Sequence, residues 1–283
     1  MLDYKETFTQ YININNVDGS GKAKSYVRAL DLLSEMLAFK SFGFDDCKNI
    51  WIITSVERLH ELYLFVLAEA RKQDSSVWNI KGIPKSYLQC GYCSAALKSY
   101  QEFLVEYNYE RNVLTAFDEY SGDEASVVES LNVDLNFPHF LIDDLDTIQG
   151  EDVVRSVSVR LNQNVFRKMI LKIYNQSCCI TGLNIPEVNR ASHIIPWAAD
   201  ASKRLDPRNG LCLSATYDAA FDRNLISLDD DYRMIVSNDI KEHYSNESVT
   251  EYFLSKEGME IMLPAKYKPG KDYLAVHRDK GCF

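Results

Sequence analysis

The chain has 283 residues, of which 46% are apolar and 12% aromatic, enough to build more than one core, so two domains are the default. No apolar run approaches the roughly 18 residues needed to span a bilayer, and the start, MLDYKETFTQ, has neither a basic opening nor an apolar signal core. No membrane partner is expected, and a cytoplasmic location is, which the seven irregularly placed cysteines suit better than a disulfide framework. The net charge of -10 argues against a nucleic-acid partner until it is split: residues 1–150 hold 13 basic and 23 acidic residues, and 151–283 hold 18 of each.

The N-terminal third reads as helical. Tyr26, Leu30, Leu33 and Leu37 share one helix face, with Ser20 and Gly21 as its opening. Thr54 and Glu57 have the spacing of a capping box ahead of Leu59, Leu62 and Val66. Cys93, Ala96, Tyr100, Phe103 and Tyr107 trace a third helix. Two strings here look like motifs and fail on spacing. GSGKAKS at 19–25 lacks the hydroxyl residue a phosphate-binding loop needs directly after its Lys, and its earlier Gly; Ala23 and Asn16 stand there. CGYC at 90–93 offers half of a tetrahedral zinc site, so its cysteines read as ordinary thiols.

Between Arg111 and Arg155 no Lys or Arg occurs, while Asp118, Glu119, Asp123, Glu124, Glu129, Asp134, Asp143, Asp144 and Asp146 accumulate. This stretch reads as a solvated connector, although FPHFLI at 137–142 is apolar enough to dock. The organisation expected is a helical domain over 1–111, an acidic connector over 112–154 and a second domain over 155–283.

From 178 the pattern changes. RASHII is a short β-like run stopped by Pro196, and a polar loop carries Lys203, Arg204 and Arg208. Asn209-Gly210 then leads into LCLS, a short helix follows, and LISL and YRMIVS around Asp229–Asp231 read as a β-hairpin. That layout is ββα. On the helix, SATYDAAFD places Asp218 and Asp222 one turn apart, where like charges repel unless something positive sits between them. A Lys or Arg, a helix N-terminus or a metal ion could fill that place.

RASHIIPW, DPRNGLCLS and YDAAFDRNLIS, in this order and spacing, resemble the HNH endonucleases with a ββα-metal site, in a bacterial branch similar to restriction endonucleases. QNVFRKMILKIYNQSCCITG ahead and YLAVHRDKGCF behind resemble that branch's lead-in and ending, so the likeness covers about 155–283. It implies an α+β chain: a helical N-terminal domain, then an HNH nuclease domain with flanking helices and a β-hairpin. It implies His193 as the general base for the attacking water, and Asn209 as the residue that holds the loop or orients the base. Asp218 takes the place of the final His as a metal ligand, and Asp222 falls where some members add another or serves to cap the backbone after the helix. Ser192 stands where many members have a first metal ligand, Asp or His.

A carboxylate in place of imidazole favours Mg²⁺ or Mn²⁺ over Zn²⁺. Lys203, Arg204, Arg208 and Arg167 are the expected phosphate contacts on double-stranded DNA, and His277 with Arg278 in the tail are further candidates to reach the site. One ββα site cuts one strand at a time, so double-strand cleavage needs a homodimer or sequential nicks. The resemblance implies a metal-dependent DNA endonuclease, with restriction or phage defence as its setting. The alternative is a non-catalytic DNA-binding or regulatory protein that keeps the fold.

Overall fold

A computed structural model describes residues 3–14, 21–133, 135, 137–141 and 147–283. The chain divides into two compact units: residues 1–109 with 135–154, and residues 110–134 with 155–283. The segment 112–154 is therefore shared, its first part grouping with the second unit and its last part with the first. Residue 111 lies inside the helix Tyr92–Glu119. Ser20, Asn16, Asp134, Asp143, Asp144 and Asp146 lie outside the described residues.

The first unit is helical. Its helices Tyr4–Ile14, Lys22–Phe39, Val56–Arg71 and the N-terminal part of Tyr92–Glu119 bury the predicted stripes, with Leu30, Leu33, Leu37, Leu59, Leu62 and Ala96 fully enclosed. Each such leucine contributes about 1.5–3 kcal/mol. Aromatic edges lock the interior: Phe8 meets Tyr100 edge-on at 5.3 Å, and Trp78 meets Phe65 at 5.5 Å. The cap of the helix Val56–Arg71 is Ser55, one residue beyond the expected Thr54. Ser55 Oγ accepts from the Arg58 amide at 3.2 Å and donates to Glu57 at 3.1 Å. Cys93 is a core thiol, pushed up to about 12 by burial, while Cys90 is exposed. Phe137 and Phe140 pack on this core and Leu141 is part of it, and Phe140 stacks on His60 at 3.9 Å.

The second unit mixes helix with two small antiparallel sheets. Strands β1 (Asn189–His193) and β2 (Gly210–Ser214) pair with Asn189 opposite Ser214 and His193 opposite Gly210. The site helix Ala215–Asp222 follows β2 without a loop and packs on both strands. Strands β3 (Ile226–Leu228) and β4 (Met234–Val236) form the expected hairpin. Its acidic turn has a structural cause: Asp229 Oδ1 accepts from the amides of Asp231 at 2.9 Å and Arg233 at 2.8 Å. The closing helix Lys271–Arg278 then packs on β3.

The β1–β2 ribbon also meets the lead-in helix Thr147–Ile173 at Gly210, with Phe166, Met169 and Ile170 buried. Gly210 permits this approach, because a Cβ there would lie 2.3 Å from Ile170 Cδ1 and 2.8 Å from Phe166 Cζ. Gly210→Ala is expected to cost about 1–3 kcal/mol through overpacking. A lowered urea midpoint with an unchanged slope checks this. Cys178, Cys179 and Cys212 are buried in the same unit, and burial pushes the Cys212 thiol up to about 12. They are core residues, as their apolar runs suggest. Among the described residues no helix is long and apolar enough to cross a membrane.

Candidate active site

A cleft of about 620 Å³ in the second unit is lined by His193, Ser192, Asp218, Asp222 and Arg167 among others. The structure thus brings five of the nine predicted site residues to one place. Asn209, Lys203, Arg204 and Arg208 are not on its lining.

His193 ends β1, its ring stacked on Phe166 at 3.7 Å and edge-on to Trp197 at 5.5 Å. Burial pushes its pKa below the ordinary 6.5, partly opposed by a hydrogen bond to the Arg204 carbonyl. That bond, Nε2 to Arg204 O at 3.1 Å, fixes the tautomer, because a carbonyl accepts and Nε2 must donate. Nδ1 then carries the lone pair.

Asn209 explains why the loop holds its shape. It is buried, its Oδ1 accepts from the Ile195 amide at 2.7 Å, and its Nδ2 donates to the carbonyls of Ile195 at 3.2 Å and Lys203 at 3.1 Å. All its bonds go to backbone within the loop, so it is a positioning residue. Asp206, which opens DPRNGLCLS but has no role assigned by the resemblance, is a second anchor. Fully buried, it caps the turn Pro207–Asn209, pairs with Arg208 at 2.8 Å and accepts from the Tyr273 hydroxyl at 2.7 Å.

The loop cations are engaged internally. Arg204 donates to Trp197 O and lies over its ring at 5.0 Å, Arg208 is held by Asp206, and Lys203 lies over Tyr273 at 5.3 Å. Arg167 lines the cleft but pins the entry to β1, donating to Asn189 O and Pro186 O, both at 2.6 Å.

Asp218 and Asp222 stay unpaired. Among the described residues neither makes an ion pair, and the adjacent Arg223 donates instead to Ala219 O at 2.9 Å. Burial, and next the charge of Asp218, raise the pKa of Asp222, with Arg223 opposing. A helical turn carrying two unneutralised carboxylates favours a bound cation. Ser192 adds a further donor: it is buried, and among the described residues its Oγ has no hydrogen-bond partner, a state that costs about 1–3 kcal/mol when left unfilled.

Among the described residues no group of three or more His, Cys, Asp or Glu stands close enough to hold a metal unaided. The donor set therefore does not fit a zinc ion closed by four protein ligands. It does fit a hard cation that takes one or two carboxylates and completes its shell with water and substrate phosphate.

His277, four-hundredths exposed, also borders the cleft, but both its ring nitrogens are engaged. Ser227 Oγ donates to Nδ1 at 2.9 Å, and Nε2 donates to Phe221 O at 3.0 Å. Its ring stacks on Phe221 at 3.8 Å, and burial above all lowers its pKa to about 4. The neutral ring clamps the closing helix to the site helix. Arg278 donates to Leu228 O at 2.7 Å and pairs with Asp230.

An antiparallel ribbon, a helix packed directly on it, a histidine at the strand end and carboxylates on the helix together form a ββα arrangement. In agreement, residues 178–229, within the C-terminal half, match the family model of the HNH endonucleases. A search of curated proteins finds no match to the chain.

Proposed function

We propose that this protein is a metal-dependent endonuclease that hydrolyses phosphodiester bonds in double-stranded DNA, in the setting of restriction or phage defence. The observation that carries this is the shared cleft: a histidine with a defined free lone pair beside two carboxylates that no cation neutralises.

His193 accepts through Nδ1 the proton of a water as that water's oxygen bonds to phosphorus and the bond to the leaving oxygen breaks. Its lowered pKa keeps it neutral, and so able to accept, at pH 7. The Arg204 carbonyl orients the ring, and Phe166 fixes its plane. Asp218, with Asp222 and the Ser192 hydroxyl beside it, would hold Mg²⁺ or Mn²⁺. When bound, that cation supplies electrostatic stabilisation of the charge developing on the leaving oxygen. Asn209 keeps the loop closed beneath the base. Arg167 borders the cleft, while Lys203, Arg204 and Arg208, held by Tyr273, Trp197 and Asp206, shape the loop rather than offer free phosphate contacts. The helical first unit serves target recognition or dimerisation, and the working location is the cytoplasm.

A second reading, a DNA-binding or regulatory protein that retains the fold, is favoured by Ser192, a neutral hydroxyl where a ligand with charge or a nitrogen lone pair would serve better. Incubating the purified chain with supercoiled plasmid and Mg²⁺ or Mn²⁺ separates the two. Nicking or cutting that chelation abolishes supports hydrolysis. Intact plasmid across modified and unmodified substrates, with duplex binding retained, selects the second reading.

A further inference from the structure

Two cations to which the resemblance assigns no role, Arg190 at the head of RASHIIPW and Lys280 in YLAVHRDKGCF, line the same cleft as Asp218 and Asp222. Arg190 sits two residues before Ser192 in β1, so strand alternation puts both on one face. Its Nη1 donates to Glu187 O at 3.1 Å and to Asn189 O at 3.5 Å, and its other guanidinium nitrogens have no partner among the described residues. Lys280 follows the closing helix, and its Nζ has no hydrogen bond or ion pair among the described residues. Cations and carboxylates thus border one cleft without neutralising each other. This contrasts with the loop, where Arg208 pairs with Asp206 and Arg204 stacks on Trp197.

Leaving both signs unpaired in one cleft suits a ligand that itself carries both: a phosphodiester chain with its divalent counterion. The carboxylates face the cation, and the free Lys and Arg face phosphate oxygens, for which a guanidinium fork is geometrically matched. We infer that Arg190 and Lys280 are the principal phosphate contacts of the cleft, holding the backbone of double-stranded DNA on either side of the bond to be cut. This rests on the nuclease reading for its substrate, but the contacts are tested by binding alone.

The test measures fluorescence anisotropy of a labelled 30-base-pair duplex with the full chain carrying His193→Ala, in Ca²⁺, over a range of NaCl concentrations. Arg190→Gln and Lys280→Gln are each expected to make the slope of log affinity against log salt shallower by about 0.9, and the double variant by about 1.8. Lys256→Gln, away from the cleft, is expected to leave the slope unchanged. Unchanged slopes for the two cleft variants, an equal effect of Lys256→Gln, or no duplex binding by the parent chain each overturn the inference. Unchanged slopes with plasmid cleavage intact sink the contacts and leave the nuclease reading standing. Altered slopes with no cleavage under any condition do the reverse.

Discussion

Replacing His193 by alanine is expected to reduce plasmid cleavage by about 10²–10⁴-fold, the usual contribution of a positioned general base, while duplex binding persists. A merely structural histidine would lose both together, because removing a ring stacked at 3.7 Å on Phe166 opens a void in the packing. The pH profile makes the distinction sharper. The base works neutral, and burial sets its pKa below 6.5, so cleavage should be level above that value and fall as acid protonates Nδ1. The same lowered pKa adds a stability effect of the same sign: the unfolded chain binds the proton more readily, so stability is fully present above 6.5 and declines as pH falls below it. A cleavage rate that rises steadily from pH 7 to 9 would remove His193 from the role of base.

Asp218→Asn should cost about 10²-fold or more in cleavage, in line with several kcal/mol of lost charge stabilisation at the leaving oxygen. Part of the loss should return as Mg²⁺ or Mn²⁺ is raised, since the defect lies first in holding the cation. Asp222→Asn is expected to be milder. Its pKa is raised by partial desolvation and next by the neighbouring Asp218 charge, so it carries its negative charge less readily. In the Asp218→Asn variant that second influence disappears, so the Asp222 pKa should fall toward its ordinary value, readable by carboxyl NMR. Equal cleavage by the parent and both variants would show that the carboxylate pair has no part in the chemistry.

The question posed by two like charges one turn apart now has a structural answer. Arg223 is the nearest bland solution in sequence, but its guanidinium turns back to Ala219 O and leaves both carboxylates open to the cleft. The pair is thus available to a cation.

Much of the second unit was legible in advance because it is local. Alternation and Pro196 mark β1, Asn209-Gly210 marks the start of β2, and the apolar spacing of SATYDAAFD marks the helix. Since β2 runs straight into that helix, the ββα layout and the placing of His193 near Asp218 follow from chain continuity. The helical stripes of the first unit were equally plain, with the Ser55 cap displaced by one residue because neighbouring Thr and Ser can both serve.

What the sequence could determine by itself was therefore the ribbon, the helix, the family of the site and the presence of His193, Asp218 and Asp222 on it. All of these are written in residue types at short spacing. Tertiary structure decided the rest. It turned the basic loop inward, with Asp206 inside the loop and the distant Tyr273 holding it. It closed His277 between Ser227 and Phe221, so a tail histidine became a clamp. It also placed Arg190 and Lys280, 90 residues apart, on one cleft. The reason is physical: a charge's partner is set by which surfaces pack together, and burial far from the motif decides whether a side chain is engaged or free.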